Sequence, residues 1–293
     1  MRHIVITPAH NEEALISHVI ESMTAQTSLP ELWVVVDDHS TDGTAHLVDA
    51  AAERHRWIRR VVPTKKGSRV VGSHVARLFL WGLEQATTSA AIDFGSDWDF
   101  VSKIDADLTL PPEYFEQVLS AMRSNDRLGI AGGSCVERRN GRWVEEKVPE
   151  EHTRGALKTY RRACYNDIGG VRPVNGWDGI DGVYARMRGW ETQSYPDLKV
   201  RHHRPTGTYR GVLRGRFLAG QFAHYLGYHP LFMAARMLRR TVSRPYVVGG
   251  LALGAGYLAD AVRRLPMYDD EEMVDFLRQE QLGKLKRILG MRP

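Results

Sequence analysis

Cysteine is scarce in this sequence: Cys135 and Cys164 are the only two among 293 residues, and neither lies in a Cys-x-x-Cys pair. A disulfide framework or a cysteine-rich zinc site is therefore not expected, and a reducing, cytoplasmic compartment fits best. Long apolar runs are missing as well. No stretch reaches the roughly eighteen strongly apolar residues of an ordinary transmembrane helix. The first apolar run, in MRHIVITPAHNEE, is too short for the core of a secretory signal and meets polar residues at once, so it reads as a first β-strand. No internal repeat is evident.

Acidic residues are missing from one long segment. Between Leu198 and Ala259 there is no Asp or Glu, while Lys199, Arg201, Arg204, Arg214, Arg216, Arg236, Arg239, Arg240 and others accumulate there. The whole chain carries a formal charge of +5. Such a one-sign block implies an anionic partner: phosphates, a membrane surface or nucleic acid.

What is present is the composition of a folded protein, 43% hydrophobic and 26% charged, long enough for one large α/β domain with an appendage. RHIVIT, LWVVVDD, IRRVVP and WDFVSKIDAD read as strands. NEEALISHVIESMTAQ, the stretch after HSTDGT, residues 69–86 and PPEYFEQVLSAMRS read as helices, with Asn11 a candidate N-cap for the first. Strand and helix in alternation indicate a doubly wound, mostly parallel sheet, and ligands bind at the carboxyl ends of its strands. Further on, LGIAGGSCVERRNGRWVEEKV reads as a hairpin, GALKTYRRACYNDIGG as a helix stopped by glycine, and TQSYPDLKVRHHRPTG as a strand ending in a His pair. Residues 211–244 read as one or two basic amphipathic helices, and 246–264 as a mildly apolar, glycine-rich stretch.

The chemistry-bearing residues gather at the strand ends. Asp105 and Asp107, after one strand and before a Pro-led helix, suit a hard cation such as Mg²⁺ or Mn²⁺, although an Asp-x-Asp in isolation equally suits a solvated turn. Asp37 and Asp38 end another strand, where a carboxylate accepts hydrogen bonds from a ribose or a base; Ser40, Thr41 or Asp42 would cap the next helix. Pro8, Asn11 and Glu12 follow the first strand and, on local grounds, make a turn. Asp178 and Asp181 are three residues apart and face one way on a helix, where they serve as a general base or as ordinary first-turn acids. His202 and His203 offer an imidazole to a metal site.

In order, PAHNEE (8–13), VVDDHSTDGT (35–44), KIDADLTLP (103–111), DIGG with GWDGID (167–170, 176–181) and VRHHRP (200–205) resemble the inverting, nucleotide-sugar-dependent glycosyltransferases of family 2, over about residues 3–210. The resemblance implies the GT-A fold, a Rossmann-like, mostly parallel central sheet flanked by helices, in a domain of residues 1–210 with a basic helical extension over 211–293. It implies that Pro8, Glu12, Asp37 and Asp38 bind the nucleoside, with Arg69 a looser match to a basic residue on the nucleotide. Asp107 would be a direct ligand of Mg²⁺ or Mn²⁺ and Asp105 would contact the sugar or ribose or share the ion, with His202 or His203 near the diphosphate. One acid of GWDGID would be the catalytic base. The usual Glu-Asp pair is absent here, since Trp177 precedes Asp178. Counting back from Gly189 favours Asp178, while helix register points Asp181 inward; both stay open, with a lean to Asp181.

The implied partners are a nucleotide-diphosphate-sugar donor and a glycan or lipid-linked acceptor of cell-surface polysaccharide, lipopolysaccharide or glycolipid synthesis. The basic C-terminal helices imply peripheral contact with the cytoplasmic face of a membrane rather than with nucleic acid. Two other classes compete: a nucleotidyltransferase making nucleotide sugars, which would carry a glycine-rich phosphate loop where PAHNEE stands, and a non-catalytic nucleotide-binding module.

Overall fold

The structure is a computed structural model that describes residues 1–64, 73–139, 141–145, 148–204, 211–242 and 246–290. The chain divides into two compact units, Met1–Arg204 and Pro205–Pro293.

The first unit is built on a sheet whose leading four strands are all parallel neighbours. They are β1 (His3–Ala9), β2 (Leu32–Asp37), β3 (Ile58–Val61) and β4 (Phe100–Ile104), in the order β3-β2-β1-β4. Every residue of β2 and of β4 is buried, as their continuous apolar runs require of strands covered on both faces. The covering helices are α1 (Ile16–Thr24), α2 (Thr44–Arg54) and α3 (Ser73–Thr88). On α3, Gly82 allows close approach, since a methyl group there would come within 2.5 Å of Val36. Each fully buried Val, Leu or Ile contributes about 1.5–3 kcal/mol, so this layer accounts for much of the unit's stability.

Beyond β4 come the short β5 (Leu108–Thr109), α4 (Tyr114–Ser124), β6 (Leu128–Arg139) and β7 (Arg142–Glu145), then β8 (Leu157–Arg161), α5 (Arg162–Asp167), α6 (Trp177–Met187) and β9 (Glu191–His202). The sheet continues β4-β8-β6-β9-β5, with β7 paired to β6. The expected hairpin is the antiparallel pair of β6 and β7. Two expectations are corrected. The segment from Leu157 is not helical: β8 inserts antiparallel between β4 and β6, and only the six-residue α5 follows it. Leu157, Lys158, Thr159 and Tyr160 are all buried, so sheet pairing overrides a pattern that reads equally as a helix. Asn11 is not an N-cap either. It has a left-handed backbone (φ 54°), and α1 starts five residues later at Ile16.

The second unit contains α7 (Val212–Tyr225), α8 (Pro230–Thr241), α9 (Val248–Val262) and α10 (Glu271–Ile288). The basic helical stretch does break at Pro230, which occupies the first turn of α8, with His229 accepting a cap bond from Leu231 N. Ala223, Met233 and Leu253 form one buried apolar cluster, and Leu226, Met273, Val274 and Leu277 are buried as well. Among the described residues no helix is long and apolar enough to cross a membrane.

Candidate active site

The loops after β1 and β2 are laced together. Asn11 N donates to Ser40 Oγ (3.0 Å), and Asn11 Oδ1 accepts from Thr41 N (2.8 Å). Glu12 N donates to Thr44 Oγ1 (2.7 Å), and Glu13 accepts from Gly43 N (3.0 Å). Asp42 accepts from Thr44 N (3.0 Å) just ahead of α2, but the N-cap position is Gly43 and carries no side-chain cap, so the expected cap by Ser40, Thr41 or Asp42 is corrected. These bonds hold the carboxyl ends of two neighbouring parallel strands as one wall. Pro8 lies in that wall, beyond the point where β1 stops pairing with β4, so its missing N–H leaves no gap in that ladder.

Asp37 and Asp38 close β2, both buried. Asp37 is absorbed by structure: Oδ1 accepts from Ser40 N (2.9 Å), and Oδ2 faces Arg60 Nη1 at 3.2 Å. Arg60 is also bidentate to Asp49, and that hydrogen bonding raises its pKa against the effect of burial. Asp38 holds His74 Nε2 at 2.9 Å through Oδ2. His74 stands in the first turn of α3 and had no signal in the sequence beyond a helix-start position. Arg69 lies outside the described residues.

The second cluster forms where β4 ends and β5 meets β9. Asp105 N donates to Ala156 O (2.8 Å), and the buried Lys103 ammonium contacts Asp105 Oδ1. Burial raises the Asp105 pKa, Lys103 opposes this, and Asp107 adds to it. Antiparallel pairing sets Leu108 opposite His202, and His203 N donates to Asp107 O (3.0 Å). His202 Nε2 thereby lies 3.3 Å from Asp107 Oδ1. Burial disfavours a charged His202, but hydrogen bonds to Asp107 and Cys135 outweigh it and its pKa is pushed up to about 10.

Ligand atoms of Asp105, Asp107 and His202 all lie within 4.8 Å of one another. Two carboxylates and one imidazole at that spacing fit a divalent cation of the Mg²⁺ or Mn²⁺ kind. The other histidine turns away. His203 Nε2 bonds Thr109 Oγ1 (2.8 Å), and its ring stacks on His18 at 4.8 Å. Arg204, which the sequence analysis did not single out, pairs with Glu12 and places Nε 3.7 Å from Asp107 Oδ2. It ties the β1 loop to the acidic cluster. Its sequence signals are its place directly after the His pair and in the acid-free block.

GWDGID opens α6. Gly176 takes a left-handed backbone (φ 75°), which a glycine adopts without strain, and the helix starts at Trp177. The two acids have opposite surroundings. Asp181 is 1% exposed and takes hydrogen bonds from Lys158 Nζ (2.8 Å), the Tyr160 hydroxyl and Gly182 N (2.6 Å). Burial and the adjacent Asp181 raise the Tyr160 pKa far above its usual value. Asp178 is only half-buried, with its carboxyl packed over Gly155, where a methyl group would stand 2.9 Å from Oδ2. Its backbone carbonyl is gripped by Lys158 Nζ (2.5 Å). The Trp177 ring has the Lys103 and Lys158 ammonium groups each 5.7 Å from its centroid, so the Asp105 partner and the Asp181 partner meet on one indole.

Residues 4–175 match the family described as Glycosyl transferase family 2. Among curated proteins, the chain is 31% identical over 142 residues to undecaprenyl-phosphate 4-deoxy-4-formamido-L-arabinose transferase of Pseudomonas aeruginosa strain LESB58; that alignment covers 47% of this chain and 37% of the relative. A counterpart from Pseudomonas paraeruginosa is 32% identical over the same shares. The chain thus spans little more than a third of the length of these relatives. Among solved structures, S. aureus TarS 1-349 in complex with UDP-GlcNAc aligns with a TM-score of 0.57 at 18% identity, over 99% of this chain and 93% of that one. The mannosyltransferase PcManGT from Pyrobaculum calidifontis, in complex with GDP-Man and Mn²⁺, aligns with a TM-score of 0.56 at 20% identity, over 99% of this chain and 88% of that one.

Proposed function

Because the chain belongs to glycosyl transferase family 2, we propose that it is a glycosyltransferase that transfers a sugar, with inversion, from a nucleotide-diphosphate sugar to a hydroxyl of a glycan or lipid-linked acceptor. The observation that carries this reading is the Asp105–Asp107–His202 cluster at the carboxyl edge of the sheet, beside the wall formed by the β1 and β2 loops. In this reading Pro8, Glu12 and Asp38 receive the nucleoside, with Asp37 keeping the end of β2 in place. Asp107 and His202, with Asp105 beside them, hold Mg²⁺ or Mn²⁺, whose positive charge stabilises the departing diphosphate when bound. Arg204 adds a fixed cation at the same place.

The proton belongs to α6. Asp178 takes it from the acceptor hydroxyl as the acceptor oxygen attacks the anomeric carbon. The bond from that carbon to the diphosphate oxygen breaks, and the nucleoside diphosphate leaves with the electron pair. One displacement with one base inverts the centre. The choice of Asp178 over Asp181 follows from their surroundings: Asp181 is enclosed and already accepts three hydrogen bonds, while Asp178 is the more accessible carboxylate, on a helix turn held by Lys158. A base is needed for a hydroxyl but not for a phosphate acceptor, whose oxygen is already ionised.

The test is nucleoside diphosphate release from a nucleotide-sugar panel that begins with GDP-Man and UDP-GlcNAc, with and without Mn²⁺. Asp178→Asn should lower kcat by roughly 10²- to 10⁴-fold at unchanged melting temperature. Turnover at the wild-type rate by Asp178→Asn, with loss in a folded Asp181→Asn, would reverse the assignment. Undecaprenyl phosphate belongs among the acceptors tried, and transfer to it that ignores Asp178→Asn would remove the need for a base. We place the work of the enzyme in the assembly of cell-envelope glycans at the cytoplasmic face of a membrane.

A further inference from the structure

In the second unit, small residues occupy the helix contacts and large apolar residues face outward. A methyl group on Gly220 of α7 would collide with the Leu253 carbonyl of α9, and one on Gly256 would collide with the Phe217 carbonyl of α7. Gly250 and Gly254 do the same between α9 and α8, the first with a methyl position 2.7 Å from the Met237 carbonyl oxygen and the second against the Met237 side chain. Outward, α8 shows Leu231, Ala234, Leu238 and Val242, and α9 shows Val248, Leu251, Ala255, Leu258 and Val262. Leu238 is 72% exposed and Val262 81%. At about 100° per residue, each set falls within an arc of about 80° and forms one stripe along its helix.

In water α8 and α9 gain little from this arrangement, because Met233 and Leu253 are their only buried large apolar side chains among the described residues and the rest of the large ones face outward or are partly exposed. Glycine seams with outward leucines are how helices pack when the surroundings are themselves apolar. At 15 residues, α9 is about 22 Å long, short of the roughly 30 Å hydrocarbon thickness, and it carries no charge before Asp260. On α8, Arg239 lies about 100° round the helix from the middle of the stripe, and Arg236 and Arg240 about 160° from it, on the polar side. Arg236, Arg239 and Arg240 of α8 gather with Arg216 of α7. The Arg240 pKa is lowered, first by partial burial and then by these three arginines. The sequence stretch that carries these four arginines has no acid, and no carboxylate offsets the charge of Arg240, so an anion from outside would be favoured there.

We propose that the α8–α9 face inserts into the interfacial layer of an anionic lipid bilayer, with Leu238, Val242, Leu251, Leu258 and Val262 among the acyl chains and the Arg216–Arg236–Arg239–Arg240 cluster on the lipid phosphates. The helices lie in the plane of the membrane and do not span it. This inference is independent of the catalytic reading, since it concerns binding in the absence of donor and acceptor.

The test is flotation of the full chain with vesicles of phosphatidylglycerol and phosphatidylcholine, against vesicles of phosphatidylcholine alone. Wild type should float with the anionic vesicles. Leu251→Ser/Leu258→Ser should weaken partitioning at least about tenfold at unchanged melting temperature, because two apolar side chains no longer enter the lipid. Arg239→Gln/Arg240→Gln should weaken it about tenfold or more, and Arg239→Lys/Arg240→Lys should restore most of it. Three results would overturn the proposal. One is no flotation of the wild type. Another is undiminished binding by the serine variant, which would leave only surface adsorption. The last is a doubled mass by light scattering that the serine substitutions abolish, which would assign the face to a second copy of the chain.

Discussion

In the first unit the side chains withdrawn from water are large: Trp33, Tyr114, Tyr160, Phe79 and Phe115 are essentially inaccessible. Where α9 meets α7 and α8 in the second unit, the positions of closest contact are glycines, and most leucines and valines of α8 and α9 look outward. The same chain thus uses the hydrophobic effect in one part and close backbone approach in the other. The first part needs a rigid sheet to present carboxylates at fixed separations. In the second, the buried centre between α7, α8 and α9 is small, Ala223, Met233 and Leu253, while α10 adds Met273, Val274 and Leu277.

The contrast can be broken at its strongest point first. Lys158→Ala should destabilise the first unit by about 3–5 kcal/mol, since it strands the buried Asp181 carboxylate without its partner. Urea denaturation followed by intrinsic fluorescence measures it, and the joint replacement Lys158→Met/Asp181→Leu should recover most of the loss. Next, the same truncation should give opposite results in the two units. Leu119→Ala, in the sheet-facing core, should cost about 2–5 kcal/mol, whereas Leu251→Ala should stay within roughly 0.5 kcal/mol in detergent-free buffer. Equal losses in the melting curves would mean that the second unit buries Leu251 after all.

A smaller effect sharpens the glycine seam. Gly256→Ala should destabilise the second unit by roughly 1–3 kcal/mol, because the methyl group meets the Phe217 backbone and not a movable side chain. Hydrogen exchange should show the loss in α7 and α9 and leave β1–β4 protected. The smallest effect is that of acid on the first unit. His3 is fully enclosed, and burial lowers its pKa to about 3. The unfolded chain then binds a proton that the folded chain refuses, so stability falls as pH drops below about 6.5, by about 1 kcal/mol between pH 6.5 and 5.5. His3→Gln should flatten that slope in denaturation curves taken across the range.

Much of the first unit could be read directly from the residues. Continuous apolar runs gave the buried parallel strands, and Asp37, Asp38, Asp105 and Asp107 stood at their ends. What stayed hidden has a physical cause. KTYR carries a pattern compatible with either helix or strand, and only the gap between β4 and β6 decides it. Reading it as a helix concealed Lys158 and Tyr160, which are the residues that enclose Asp181. Without them the different surroundings of Asp178 and Asp181 cannot be read from GWDGID. His203 and His202 were likewise equivalent on paper. The antiparallel register of β5 with β9 turns one toward Asp107 and the other toward Thr109. Arg204 counts on paper only as one cation of the acid-free block, because its partners, Glu12 and Asp107, come from strand ends far away in sequence.

The lacing between the loops after β1 and β2 bears on how the proposed donor selectivity would change. Asn11, Glu12 and Glu13 each hold a residue of the 40–44 segment through a backbone amide, so neither loop can shift without dragging the other. Grafting one loop from a relative with another nucleoside preference would therefore disrupt the recipient before it altered selectivity. The two segments form a single heritable cassette, and a switch of nucleoside would have to exchange both together.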